Sequence, residues 1–428
     1  MKDICILGAG ISGLALAANL QKDAEILEKN INSGGLCSTI IEGGFTFDIG
    51  GPHILFSKNK EVLNYMVSVL GDNVDKKVRN VKILYNGNMV KYPFENGLSD
   101  LSKEECFECI RDYLNNNYKK EPENLEEWAY FTFGKSISEK YFLPYNRKIW
   151  NCEPSQISLS WVSRIPKPPI EDVLKSAIGI PTEGYLHQLH YFYPKKGGYQ
   201  ALTDALTKKV INKISFNEEV LKIKKITDGW EVTTVNEVKQ YKTLVSTLPI
   251  HKLLNILEDC PPEAIAIANS LHVNGLINVL IGFKEDKNIP YIAVYVPDSD
   301  IIFHRITFLK NFSEHNVPNE CASIMTEITA NHTDDIWKKN DDEIINIVVS
   351  DLEKLNLIKK ENIVYTKVIK ITYAYPIYDL NYYNNTSKLH LLMENMGIHL
   401  LGRFARFEYI NSDVCVERAL ILAKELNK

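Results

Sequence analysis

Three glycines and an acid are the first residues whose types and spacing could do chemistry. Gly8, Gly10 and Gly13 fall in Gly8-Ala9-Gly10-Ile11-Ser12-Gly13, and Glu28 follows Gly8 by twenty residues. Glycines at this spacing let a pyrophosphate lie against bare backbone, with Ile11 and Ser12 at the helix start that faces the phosphates. An acid at this distance accepts hydrogen bonds from a ribose. Ser33-Gly34-Gly35-Leu36-Cys37-Ser38 adds a second turn through Gly35 and Leu36. Phe47-Asp48-Ile49-Gly50-Gly51-Pro52-His53 then ends a strand on two more glycines. A nicotinamide cofactor has no need of these further turns. FAD is longer, and its flavin end has to pass more close-approach backbone, so FAD is the expected dinucleotide. His53, placed after Gly51 on a strand aimed at the flavin, reads as a hydrogen-bonding group of the site.

These groups need elements to hold them. Residues 2–7 read as a strand, 14–20 as a helix and 24–27 as a second strand ending on Glu28. Residues 59–70 have helical periodicity through Val62, Leu63, Met66, Val67 and Leu70, with Gly71 as the stop. Residues 81–85 and 88–92 make a hairpin about Asn86-Gly87. From 99 to about 189 the chain is mostly helical and rich in aromatics. There Tyr141-Phe142-Leu143-Pro144-Tyr145-Asn146-Arg147-Lys148-Ile149-Trp150 is dense in groups that stack on a base or bind an anion. A helix over 199–210 returns the chain to the nucleotide fold. Strands at 214–216, 220–226 and 230–234 and a return strand at 244–249 follow, with Val220 a candidate backbone contact to adenine. Alternating strands are expected at 273–283, 291–296, 301–308, 322–330 and 368–373, with an amphipathic helix over 341–355. A last strand ends on Gly402-Arg403, and a helix runs from about 411 to 426.

The fold class expected is α/β: a Rossmann-type FAD-binding domain with an inserted helical domain and a mixed or antiparallel β-sheet domain. The FAD-binding domain takes residues 1–80, 193–270 and 390–428. The helical, nucleotide-side insert takes 95–190, and the sheet domain takes 81–94 and 271–389.

Length and composition bound the rest. The chain has 428 residues, enough for two or three domains, with 45% hydrophobic and 24% charged residues. A net charge of −5 argues against a nucleic-acid binder. Entry into the nucleotide fold at residue 2 argues against a cleavable signal peptide, and no apolar stretch approaches a membrane span. Eight scattered cysteines fit a reduced cytoplasmic protein. Cys106 and Cys109 form a lone C-x-x-C inside a helical pattern, which reads as helix packing, and no metal site is expected.

Several short motifs, in order along the whole chain, carry a resemblance. They are Gly51-Pro52-His53-Ile54-Leu55-Phe56, Tyr92-Pro93-Phe94, Leu143-Pro144-Tyr145-Asn146 with Trp150, and Gly402-Arg403-Phe404-Ala405 with Tyr409, Asn411 and Asp413. The chain resembles the UDP-galactopyranose mutases, within the wider amine-oxidase and protoporphyrinogen-oxidase-like FAD superfamily. The resemblance implies a nucleotide-sugar mutase that interconverts pyranose and furanose forms. Reduced flavin N5 attacks the anomeric carbon, the nucleotide diphosphate leaves and returns, and no net redox change results. It also implies a cytoplasmic role in cell-surface polysaccharide biosynthesis.

Residue by residue, the resemblance makes Arg164 and Arg305 the pair that clamps the substrate diphosphate. Tyr295, Tyr375 and Tyr409 contact the same group. Tyr92, Phe94, Asn146 and Trp150 match the nucleobase end, with Tyr141 as the stacking ring. His53 would bond near flavin N5 and shift its loop with redox state. Arg403 and the helix start at Ser412-Asp413 would stabilise an anionic reduced flavin. Glu95 departs from the pattern, standing where eukaryotic members usually place glutamine, and Ala293 stands where they often carry tryptophan. No second dinucleotide motif is present, so NAD(P)H would dock transiently over the flavin as external reductant. A homodimer is allowed. Two other functions fit the same fingerprint. One is an FAD oxidase or dehydrogenase of the amine-oxidase or protoporphyrinogen-oxidase type, and the other is a non-catalytic nucleotide-binding protein.

Overall fold

Short apolar runs bounded by turns form strands buried on both faces. The computed structural model describes residues 2–162, 165, 167–184, 189–284 and 289–428. In it, Lys2–Leu7 and the fully buried Ala24–Leu27 are interior strands of a seven-stranded sheet. The order across it is Val220–Ile226, Gly229–Thr234, Val238–Ser246, Lys2–Leu7, Ala24–Leu27 and Lys213–Ser215, and Ile398–Leu400 pairs beside Val238–Ser246. The central strands are parallel, while the 220–246 meander is antiparallel. The helix Ile11–Ala17 is buried throughout and packs on Ser412–Leu426, which closes one face.

The second seven-stranded sheet runs Ile363–Pro376, Val273–Lys284, Cys321–Ala330, Arg305–Phe308, Ala293–Tyr295, Val81–Tyr85 and Asn88–Lys91. Every pairing is antiparallel except the one that docks the early hairpin, where Ala293–Tyr295 runs parallel to Val81–Tyr85. Helices Lys103–Leu114, Leu125–Ile137, Leu143–Trp150 and Ile170–Ala177 pack over this end of the molecule. A π-helical turn, Ser138–Phe142, joins two of them and carries Tyr141. Such turns break the regular hydrogen-bond ladder and recur at functional sites.

Local signals place many elements. The helix Lys60–Leu70 starts on Asn59, whose side chain accepts from the Glu61 and Val62 N–H groups, and ends at Gly71. Other bounds shift for tertiary reasons. The return strand begins at Val238 rather than 244, because Gly229–Thr234 pairs with its earlier residues. Only Arg305–Phe308 of the expected 301–308 strand is regular, since the Ile302 N–H turns to the Asp351 carboxylate at 2.9 Å. The last long strand extends to Ile363–Pro376 because Val273–Lys284 pairs along most of it. Elements with no counterpart in the sequence reading include the hairpin Thr39–Glu42/Phe45–Asp48, the ribbon joining Asp75–Val78 to His190–Tyr193, and the helices Ile250–Ile256, Pro262–Ser270 and Tyr382–Met396.

Candidate active site

The first glycine turn permits a close approach that a side chain would block. A Cβ at Gly13 would lie 2.2 Å from the Gly8 carbonyl oxygen, so only glycine lets the helix close on the strand. Gly10 faces open space, with no atom within 4 Å of its Cβ position. The Glu28 carboxylate accepts from the Ala9 N–H at 2.8 Å and the Asn30 N–H at 2.9 Å, and lone pairs remain for a ribose. Gly35 closes over Gly10, its Cβ position 3.4 Å from the Gly10 Cα. Val220 packs at the far edge of the same sheet beside the Leu7 and Leu27 cluster.

The flavin-side loop lies next to these turns. His53 Nε2 donates to the Leu36 carbonyl at 3.1 Å, and the ring tilts against Tyr199 with centroids 5.1 Å apart. Burial pulls the imidazole pKa down to about 4. The Leu36 carbonyl works against this, while the Arg403 and Arg305 guanidiniums add to it. His53 is therefore neutral near pH 7 and presents Nδ1 as an acceptor. The loop at Gly402 presses on the first helix, where a Cβ would sit 2.6 Å from Ser12 Oγ. Arg403 donates from Nη2 to the Ala374 carbonyl at 2.8 Å and from Nη1 to the Ile410 carbonyl at 3.2 Å. Its Nε is buried and has no partner among the described residues. Asp413, in the first turn of the last helix, is buried, and its carboxyl is pushed up by that burial against a hydrogen bond from Ser57. Open backbone at Gly10, an acid with spare lone pairs and an orphaned guanidinium N–H fit a flavin dinucleotide.

The second sheet supplies the floor. Its register sets Asn278 opposite Glu327, Glu327 opposite Arg305 and Arg305 opposite Tyr295. Residues opposite one another in adjacent strands share a face, so four polar side chains form one row across four strands. Asn278 Nδ2 donates to the Ile49 carbonyl at 2.6 Å and ties the row to the His53 loop. Glu327 is fully buried and takes Arg305 in a bidentate pair, through Nε and, at 2.5 Å, through Nη2. Burial opposes the Arg305 charge, but Glu327 outweighs it and holds the guanidinium protonated. Gly51 passes over this pair, its Cβ position 3.1 Å from Glu327 Oε1. Arg305 Nη1 keeps its hydrogens for another acceptor, since only Nε and Nη2 are engaged by the described residues.

Tyrosines wall the floor. Tyr295 packs against Tyr92 at 4.9 Å and Tyr145 at 5.1 Å, and its hydroxyl accepts from Arg79 Nη2 at 3.4 Å. Tyr375 stacks on Tyr409 at 5.7 Å, and the Arg403 guanidinium lies 4.1 Å over the Tyr409 ring centre. Phe94 lies flat on Tyr141 at 5.2 Å and Tyr141 on Tyr145 at 5.5 Å, a column leading from the helices to the cleft. Asn146 and Trp150 turn inward. Trp150 Nε1 donates to Asn146 Oδ1 at 3.1 Å, and Asn146 Nδ2 donates to the Phe142 carbonyl at 2.8 Å. Both are buried, and they back the wall. Arg164 lies outside the described residues.

Sequence reasoning missed three groups here. Glu327 left a signal, as the one acid in an apolar strand. Tyr145 stood in a segment already singled out, yet its neighbours drew the attention. Arg79 left none. Cys109 is buried in the helix Lys103–Leu114, and Cys106 Sγ lies 3.6 Å from the Ala177 carbonyl. Among the described residues no group of His, Cys, Asp or Glu could hold a metal ion, and no helix is long and apolar enough to cross a membrane.

Comparison with known proteins adds a family match, two relatives and two solved structures. The family described as flavin containing amine oxidoreductase matches residues 11–382. A protein named probable UDP-galactopyranose mutase from Klebsiella pneumoniae is 27% identical over 177 residues, 39% of this chain and 45% of its own length. The dTDP-fucopyranose mutase of Escherichia coli is 24% identical over 202 residues, 43% of this chain and 52% of its own. The match thus spans about half the length of either relative. A crystal structure of reduced UDP-galactopyranose mutase superposes with a TM-score of 0.89 at 25% identity, covering 100% of this chain and 95% of that one. Wild-type putrescine oxidase bound to putrescine shares the fold alone, with a TM-score of 0.67 and 14% identity over 99% of this chain and 98% of that one.

Proposed function

The chain belongs to the flavin-containing amine oxidoreductase family, and from that premise we propose that it is a flavin-dependent mutase interconverting the pyranose and furanose forms of a nucleotide-linked sugar. The observation that carries this reading is the Arg305 guanidinium. It is held on two nitrogens by Glu327 while Nη1 stays available, inside a ring of tyrosines beside the His53 loop. An oxidase of small apolar amines has no use for a cation fixed at that point. A leaving diphosphate does, because charge grows on it as its bond to the sugar breaks.

Bound and reduced, FAD supplies the nucleophile that displaces the diphosphate from the anomeric carbon. The residues do the rest. Arg305, with Arg164 as its expected partner, holds the diphosphate as it leaves and returns. Tyr295, Tyr375 and Tyr409 fix its position. Tyr92, Tyr141 and Tyr145 receive the nucleoside, backed by Phe94, Asn146 and Trp150. Arg403 Nε, buried with no partner among the described residues, would donate to the flavin, and neutral His53 would offer Nδ1 without adding charge. In this reading residues 1–80, 193–270 and 390–428 bind FAD, 95–190 bind the nucleotide, and 81–94 with 271–389 form the sheet side. NAD(P)H is the external reductant, the enzyme works in the cytoplasm, and its product feeds glycosyl transfer to a cell-surface polysaccharide.

The test is direct. Dithionite-reduced protein is incubated with a panel of nucleotide sugars, and ring isomers are sought by chromatography. Isomers should form with reduced protein only and without stoichiometric oxygen uptake. Turnover that consumes one oxygen per product would replace the mutase with an oxidase.

A further inference from the structure

Three histidines spend Nε2 on a backbone carbonyl: His53 on Leu36 at 3.1 Å, His251 on Ala268 at 2.8 Å and His390 on Arg406 at 2.9 Å. His304 does not. It is 1% exposed, and its Nε2 is buried with no partner among the described residues. Its Nδ1 lies 3.4 Å from Thr329 Oγ1. A buried imidazole nitrogen without a hydrogen bond is costly, so an unused one marks a place where a ligand completes the bonding.

The side chain faces the cleft. Regular strand begins only at Arg305, so strand alternation does not turn residue 304 away from it. Thr329, which meets the ring, shares a sheet face with Glu327 and stands opposite Leu276. Leu276 packs in one cluster with Tyr375, Tyr145 and Tyr295, while Ile328 turns to the other core. The His304 ring meets Tyr145 and Tyr375 edge-on, with centroids 6.4 and 6.5 Å away. Its backbone is fixed on both sides. The N–H donates to the Glu327 carbonyl and the carbonyl accepts from the Val296 N–H, each at 2.9 Å. His304 and Arg305 are thus consecutive side chains on the floor of the cleft.

Burial, followed by the nearby Arg305 and Lys148 charges, keeps the imidazole neutral, so it is no further cation for a diphosphate. A neutral imidazole has one donor and one acceptor, and the Thr329 hydroxyl can serve either at Nδ1. Nε2 then carries a hydrogen or a lone pair according to the tautomer, and a hydroxyl group satisfies both. In the mutase reading Tyr145 receives the nucleoside and Tyr375 fixes the diphosphate. His304 lies between them, where the pentose joins the two parts of a nucleotide. We propose that His304 reads the pentose, Nε2 bonding a ribose hydroxyl. This inference rests on the mutase reading and adds a specificity-determining residue to it.

The test uses FAD-loaded protein and four probes: UDP, 2′-deoxy-UDP, 3′-deoxy-UDP and inorganic pyrophosphate. Affinities are measured by calorimetry for wild type, His304→Leu and His304→Gln. Wild type should bind one of the deoxy probes roughly tenfold more weakly than UDP, the cost of leaving Nε2 unpaired. The affected probe says which hydroxyl is read. His304→Leu should bind that probe and UDP alike, and His304→Gln, whose amide offers a donor and an acceptor, should restore part of the difference. Pyrophosphate should bind all three proteins equally. Equal wild-type affinity for UDP and both deoxy probes would overturn the inference, as would a full difference kept in His304→Leu. If the variants do not fold, a crystal structure of wild type with UDP decides, since Nε2 out of hydrogen-bond reach of both ribose hydroxyls removes His304 from the pentose. Failure of UDP and pyrophosphate alike to bind would instead reject the nucleotide-sugar function, and this inference with it.

Discussion

Each of the two large sheets buries a glutamate completely, and the two are surrounded in opposite ways. Glu25, in the parallel sheet, accepts from Ser215 Oγ at 2.7 Å and from Lys239 Nζ and Tyr241 OH at 2.9 Å. Lys213 lies at 3.3 Å and Lys2 at 3.5 Å. Burial pushes its pKa up, but these partners hold it down to about 2. Glu327, in the second sheet, faces one cation, and that cation keeps a nitrogen for something else. A buried charge surrounded on every side stitches strands together. A buried charge with one partner at the floor of a cleft orients that partner for a ligand.

The comparison makes ranked predictions about turnover. Arg305→Ala should lower turnover about 30- to 1000-fold, the cost of losing a donor that tightens in the transition state. FAD content should not change. Normal turnover per bound flavin would remove Arg305 from the site. Glu327→Gln keeps the shape of the acid but loosens the guanidinium it orients, so turnover should fall about 10- to 100-fold. Equilibrium binding of the nucleotide should weaken less than in Arg305→Ala. Unchanged turnover and binding per folded molecule in Glu327→Gln would make Glu327 a structural residue like Glu25.

His53→Ala should keep FAD and slow catalysis about tenfold, the loss of one hydrogen bond. It should also narrow the difference in nucleotide-sugar affinity between reduced and oxidised protein. If the variant keeps the full difference, measured anaerobically in both states, the loop has no redox role.

Glu25→Gln should leave turnover per folded molecule untouched while costing roughly 2 kcal/mol of stability. That is less than the usual penalty for breaking a buried ion pair, because Lys2 and Lys213 can turn to water. The pH dependence has a definite sign. The folded-state pKa lies below the ordinary glutamate value of 4.5, so the contribution is complete above that value and is lost as pH falls toward 2. Acid unfolding of Glu25→Gln, followed by circular dichroism, should lack this component. A loss of turnover as large as that of Glu327→Gln would dissolve the contrast between the two glutamates.

Legibility in the sequence followed distance along the chain. The glycine turn, its flanking strands and Glu28 could be read because all lie within twenty-eight residues and one local motif binds them. The helix after Asn59 and the hairpin at Asn86-Gly87 were readable for the same reason, through caps and turn chemistry. The ribbon between Asp75–Val78 and His190–Tyr193 was not, since neither strand carries a pattern that names its distant partner. The helix Tyr382–Met396 left one usable mark, Gly397 in the left-handed conformation at its end.

The sequence by itself determined the dinucleotide-binding half and the family, because strand, glycine turn, helix and acid are consecutive and each constrains the next. Tertiary structure alone decided which groups surround Arg305. Its partner lies twenty-two residues away, and only the strand register, with Glu327 opposite Arg305 and Arg305 opposite Tyr295, makes them one row. It also decided that Glu25 meets Lys2, Lys213 and Lys239, which come from three different strands. Charge pairing and desolvation are set by neighbours in space, and in a mixed sheet those neighbours come from segments that the order of residues does not bring together.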